Sequence, residues 1–311
     1  MFLKIIIVAV GVACALLGYP EGMIVGALLS TQLSDANIAA FDDQVKHEYQ
    51  ALGVLRPHVR RKTGVIGSTQ RFTTYSPGIA TPRVPQTDVV PMNTGPTNYT
   101  ATLGDWNAPQ YTDIFMQQKV NFSEQALLGH TIAAAIGRRD DQIIIDSLEA
   151  ASTSLTVSNA IGGTDSNLNT AKMRQAKKLL DTKNVPMENR KLLIHANNLY
   201  GLLGDSDATT FDKNVVKALV DGDIKRWLGF DIIVLGDRDE GGLTVDGSDD
   251  RTTFAFHGGE MGAVAIAEGI AMRTTVDWIA EKTSHLANGL FSAGGTSLQA
   301  NGIVEITNRE A

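Results

Sequence analysis

Residues 63–118 read TGVIGSTQRFTTYSPGIATPRVPQTDVVPMNTGPTNYTATLGDWNAPQYTDIFMQQ. Six of the nine prolines in the chain lie here: Pro77, Pro82, Pro85, Pro91, Pro96 and Pro109. Threonine is abundant, and there is no lysine and no glutamate. Proline inside a helix removes a hydrogen bond and clashes with the preceding turn, so this stretch is not helical. The run Thr69-Gln70-Arg71-Phe72-Thr73-Thr74-Tyr75 predicts a strand. Proline cannot donate to a sheet ladder, so strands here are sheet edges or a two-stranded ribbon. A lone ribbon is marginal in water, and a stretch this long with no core of its own is disordered or held by something else. Phe72, Tyr75, Tyr99, Trp106 and Tyr111 supply the side chains for packing against a partner.

On the C-terminal side, residues 121–152 carry the strongest helical pattern. Asn121 with Glu124 forms a capping box, and Leu127, Leu128, Ile132, Ala135, Ile136, Ile143, Ile144 and Leu148 make an apolar stripe. Thirty residues of helix span about 45 Å. Gly137-Arg138-Arg139-Asp140-Asp141 breaks the stripe at mid-length. It predicts a kink and a solvated or subunit-contact face laced by local ion pairs. A polar linker (153–169), a basic amphipathic helix (170–183) and a buried strand (192–195) follow. Helices at 197–203 and 211–220 and strands at 229–235 and 252–256 come next, then a small-residue helix at 259–267 and a strand-rich tail. The mixture predicts an α+β or α/β body.

On the N-terminal side, Ser34 caps a helix with Ile38, Phe41, Val45 and Tyr49 on one face, ending near Gly53. Arg56, His58, Arg60, Arg61 and Lys62 then read as a solvated arm, or as contact with an acidic neighbouring subunit or nucleic acid. Residues 1–18, MFLKIIIVAVGVACALLG, have the form of a signal peptide and are short for a membrane span. Nothing after them suggests export. The readings favoured here are translation beginning at Met23, or an arm hidden inside an assembly.

The 311 residues are 43% hydrophobic and 20% charged, with a net charge of −7. These values exclude a disordered chain, a collagen and a coiled coil. The acidic balance opposes tight nucleic-acid binding by the whole surface. Cys14 is the single cysteine, so neither an intrachain disulfide nor a Cys-based zinc site can form. The six histidines form no H-x-x-x-H or H-x-H pair. No Walker A sequence is present. Gly258-Gly259-Glu260-Met261-Gly262 lacks the first glycine of a dinucleotide fingerprint, because His257 stands there. Asp237, Asp239 and Gly242 imitate a calcium loop whose twelfth position, Ser248, lacks the required glutamate. His257 beside Glu260 reads as a structural histidine. No nucleophile, base and orienting group assemble, so the chain is read as a non-enzyme without cofactor or metal.

A resemblance emerges from order and spacing. It lies in a long ribbon, then a long helix, then Val185-Pro186 with Asn189-Arg190-Lys191-Leu192-Leu193-Ile194 and a helix ending in Leu202-Leu203. It continues in Gly222-Asp223-Ile224 with Leu228-Gly229-Phe230-Asp231-Ile232-Ile233, in Ala255-Phe256-His257, and in Gly289-Leu290-Phe291 with Gly294-Gly295 and Asn301-Gly302-Ile303-Val304. Over about residues 34–308 the chain resembles tailed-phage major capsid proteins of the Hong Kong 97 phage fold, most closely those of short-tailed podoviruses.

The resemblance implies an α+β capsid fold with these parts: an apolar leader or upstream extension (1–29), an N-terminal arm (30–62) and an extended loop lying over a neighbour (63–118). A peripheral domain with a spine helix (119–185 and 268–311) and an axial domain (186–267) complete it. It implies self-assembly in the host cytoplasm, through hexamers and pentamers, into the icosahedral shell of a virion. The implied partners are a scaffolding protein, a portal, decoration proteins and weakly held double-stranded DNA, with no membrane. The inter-subunit contacts expected are Arg71, Arg83 and Trp106, with Glu124, Asp140 and Asp141 as acidic acceptors for the loop arginines. An encapsulin-type compartment is the alternative, and an exported binding protein a more distant one.

Overall fold

A computed structural model describes residues 50–92, 94–117, 124–151, 155–205 and 226–310. The leader, the helix begun by Ser34, the cap at Asn121 and the helix at 211–220 lie outside these residues. The described residues from 50 to 114 and from 124 to 310 belong to one compact unit. Of the second, residues 1–46 and 115–123, only 115–117 are described, in the short helical turn Ile114–Gln117.

The large unit opens with a 3-10 turn, Arg56–His58, and strand β1, Arg60–Lys62. The ribbon strands are β2, Thr69–Tyr75, and β3, Pro96–Thr102; β4 is Gly104–Asp113. Then come α1, Glu124–Glu149; β5, Thr156–Val157; α2, Thr170–Thr182; β6, Arg190–His195; and α3, Ala196–Leu203. The strands that follow are β7, Arg226–Trp227; β8, Phe230–Leu235; β9, Asp250–His257; β10, Val264–Ile279; β11, Ser284–Ser297; and β12, Ile303–Arg309, with 3-10 turns at Ala280–Lys282 and Ala300–Gly302.

Three sheets result: β1-β10-β11-β4, β5-β12-β9-β6-β8-β7, and the ribbon β2-β3. Most pairings are antiparallel; β1–β10, β5–β12 and β6–β8 are parallel. The class is α+β. The strand period of two decides the core. In the six-stranded sheet Leu192, Ile194, Val304 and Ile306 share a cluster with Met173, Ala176 and Leu180 of α2. Their neighbours Leu193 and Ile303 point the other way, into a cluster with Ile144, Ile145 and Leu148 of α1. The same cluster takes Ala287, Phe291 and Ala293 of β11, so α1 is packed by both large sheets. Gly289 of β11 admits this helix, because a Cβ there would fall on Ile132 and Ile136.

Several expectations are corrected. Residues 259–267 are not a helix: a turn with Gly259 at φ +86° leads directly into β10. Ala265 and Ala267 are wholly buried in β10 between β1 and β11, and the sheet rather than a helix satisfies their backbone. The helix α1 runs unbroken through 137–141. Gly137 is explained by the close approach of Gly53, whose Cβ, if present, would lie 2.6 Å from the Gly137 carbonyl oxygen. The six-stranded sheet takes in β5 and β12, and α2 packs on it.

Candidate assembly surface

The proline-rich stretch forms the ribbon that its sequence predicts. β2 and β3 pair in register from Thr69 opposite Thr102 to Tyr75 opposite Pro96. The root has a small core: Phe72 and Ala101 are buried with Val65, Ala265, Ala267 and Leu298. Arg60 stacks on Phe72, its guanidinium carbon 5.6 Å from the ring centre. Beyond the root the expectation of a segment without its own core holds. Ser76 N–H donates to Gly95 O, closing the strand ends. The tip then exposes Ile79, Val84, Val89, Val90 and Met92, with Ile79 82% and Val89 87% accessible. Pro77, Pro82, Pro85 and Pro91 remove the ladder donor at four positions of the tip. Five exposed apolar side chains thus lie on this one loop.

The expected contact residues are scattered. Arg71 is exposed on β2, opposite Thr100, and Arg83 is exposed at the tip. Trp106, on β4, is partly covered by Arg139 of α1, whose guanidinium carbon lies 3.4 Å from the indole centre. Glu124 opens α1, with its side chain outside the described residues. Asp140 and Asp141 are buried, and this corrects the reading of a solvated or subunit-contact face. Asp141 accepts the backbone N–H of Leu55 at 2.9 Å and a charge-assisted bond from Arg238 at 2.8 Å. These partners oppose the effect of burial, which still leaves its carboxyl above the ordinary range. Burial pushes the carboxyl of Asp140 up to about 6, against the pull of Arg56.

The basic stretch at 56–62 is likewise not simply a solvated arm. Arg61 grips Glu268 with Nε to Oε1 at 3.1 Å and Nη2 to Oε2 at 3.0 Å, and Arg56 Nη2 reaches the same carboxylate at 3.1 Å. Sequence reasoning alone does not single out Glu268. Its signal is nevertheless present, since a single carboxylate in the apolar run AVAIAEGIA, residues 263–271, demands buried cationic partners.

His257 is buried, and backbone groups of Met261 and Glu188 bond to it, while burial lowers its pKa. Asp237 is 85% exposed and approaches Arg251 and His195. Among the described residues no group of three His, Cys, Asp or Glu could hold a metal ion. Among them, too, no helix is long and apolar enough to cross a membrane.

Comparison with solved structures gives the fold a counterpart. The capsid of cyanophage P-SCSP1u superposes with a TM-score of 0.71 at 12% identity, covering 89% of this chain and 94% of that one. The acid-stable capsid of Helicobacter pylori bacteriophage KHP30 gives 0.69 at 11%, covering 89% and 97%. Mycobacterium phage Che8 gives 0.65 at 18%, covering 86% and 96%. No curated protein matches the chain. The resemblance to the tailed-phage capsid fold therefore holds at the level of architecture. The sequence profile of phage capsid proteins matches residues 33–310, and the chain belongs to the phage capsid protein family.

Proposed function

We propose that copies of this chain assemble into a closed icosahedral shell around double-stranded DNA, with the ribbon tip of each subunit lying across a neighbour. The observation that carries this reading is the ribbon itself: buried at Phe72 and Ala101, exposed from Thr73 to its tip, and apolar at that tip. Leaving such a patch in water is unfavourable, and a neighbouring subunit relieves it. Many modest contacts per subunit suit a shell, because misplaced subunits can dissociate before closure. A net charge of −7 suits a wall that does not hold DNA tightly. The family match favours a phage shell over an encapsulin compartment.

Residues 186–267 are assigned to the axial domain, and residues 119–185 and 268–311, with α1 as the spine helix, to the peripheral one. Scaffolding, portal and decoration proteins are the partners this function calls on, and assembly takes place in the host cytoplasm. The test is sedimentation and negative-stain microscopy of the full chain, alone and expressed with the phage's other head proteins. Hexamers, pentamers or shells are expected. A protein that stays monomeric in both settings overturns the reading.

A further inference from the structure

Three buried carboxylates face the segment 53–62: Asp140 and Asp141 on α1, and Glu268 on β10. Two are well partnered. Asp141 takes the Val54 and Leu55 N–H groups and Arg238. Glu268 takes both Arg56 and Arg61. Asp140 differs: it is 1% exposed, and neither carboxylate oxygen has a hydrogen-bond partner. Its nearest cation is Arg56 Nη1 at 3.9 Å, and that arginine's Nη2 is already committed to Glu268. The charged groups around it are Arg56 on the turn, Arg61 on β1, Glu268 on β10 and Asp141 on its own helix.

We propose that Asp140 is a proton-operated latch on the segment 53–62. Protonated, it leaves Arg56 to Glu268 and the segment stays seated. Ionised, it is a buried charge with no hydrogen-bond donor, and the segment opens more often because opening admits water to it.

The direction follows from linkage. Burial raises the Asp140 carboxyl from its ordinary 3.8 to about 6 in the closed form, so the closed form binds the extra proton. Closure is favoured at low pH and weakens as pH rises through about 6. His58, on the same turn, works in the opposite sense. Burial and Lys191 lower its pKa, so its contribution to closure is lost as pH falls. The Asp140 part is therefore read as the difference between wild type and Asp140→Asn.

Hydrogen exchange of the full chain is measured by mass spectrometry from pH 5 to pH 8, corrected for intrinsic rates, at Val54, Leu55 and β1. Relative to Asp140→Asn, the wild-type opening equilibrium is expected to rise about tenfold from pH 5 to pH 8, with peptides of β8 and β9 unchanged. Parallel profiles for the two proteins overturn the proposal. Should Asp140→Asn not fold, Asp140→Ala removes the same titration without burying an amide and is read identically. Should neither fold, His58→Gln in an otherwise wild-type chain removes the opposing titration. Opening must then rise from pH 5 to pH 8, and a flat or falling profile overturns the latch.

Discussion

Arg139 of α1 sits over the indole of Trp106 on β4, with 3.4 Å from guanidinium carbon to ring centre. The same arginine pairs with Glu240 at 2.9 Å. One side chain thus ties the strand that continues the ribbon to the long helix and to the loop after β8. A cation–π pair of this kind is worth about 0.5–2 kcal/mol, and more where water is partly excluded. Trp106→Ala should destabilise the subunit by roughly 1–3 kcal/mol, the loss of indole packing included. A double-mutant cycle with Arg139→Ala in chemical denaturation should return a coupling of at least about 0.5 kcal/mol. Additive effects would show that the stacking contributes nothing.

Lys172 on α2 is wholly buried, and its ammonium donates to Ser166 O at 2.6 Å, Thr307 O at 2.9 Å and Asn308 Oδ1 at 3.4 Å. It ties the start of α2 to β12. Burial pulls its pKa from 10.5 down to about 8, with Asp250 opposing. A base whose folded pKa is depressed favours folding above its unfolded pKa, and that advantage is lost as pH falls through the folded one. Wild-type stability should therefore rise from pH 8 to pH 10.5 relative to Lys172→Met, by up to roughly 3 kcal/mol. Urea melts of both proteins at the two pH values check this. Identical pH dependence would mean that Lys172 titrates normally.

Local pattern carried much of this fold into view. The ribbon strand Thr69–Tyr75, the helix stopped by Asn184 and the buried strand ending at His195 follow from proline placement, capping and apolar runs. What escaped depends on long-range partners. The alanines at 263, 265 and 267 have high helix propensity, and β1 and β11, both remote in sequence, hold Val264–Ala267 as strand. Asp140 and Asp141 look like a charged surface until residues 54–61 and 238, remote in sequence, cover them. The ribbon's partial core at Phe72 was hidden for the same reason, since Ala265, Ala267 and Leu298 complete it. Of the expected contact residues, Arg71 and Arg83 are exposed and accessible to a neighbour.

Gly294 marks where the ribbon root crosses β11: a Cβ there would fall on the carbonyl oxygen of Thr102, which is backbone and cannot swing aside. Gly294→Ala should cost about 1–3 kcal/mol, as overpacking does. Gly247 is the control, since a Cβ added there would meet nothing within 4 Å and its φ is not positive. Gly247→Ala should stay within about 0.5 kcal/mol of wild type. Midpoints of guanidinium denaturation decide it, and equal shifts for both would count against the crossing.

The apolar tip makes the sharpest claim on assembly. Val89 and Val90 are 87% and 65% exposed and contribute nothing to the buried clusters of the subunit. Replacing both by aspartate should leave circular dichroism and the folding midpoint within about 0.5 kcal/mol of wild type. Burying two such side chains in a neighbour is worth about 1.5–3 kcal/mol each, and an unpaired carboxylate in their place adds a desolvation cost. Repeated at every subunit contact, that loss should lower the yield of shells at fixed protein concentration by at least about tenfold. Arg71→Glu and Arg83→Glu act on exposed charges worth about 0–1 kcal/mol each, so their effect should be smaller and should fade in high salt. Sedimentation of the four proteins beside their far-ultraviolet spectra separates folding from assembly. Wild-type shell yields from the double-aspartate variant would remove the loop tip from the assembly contacts.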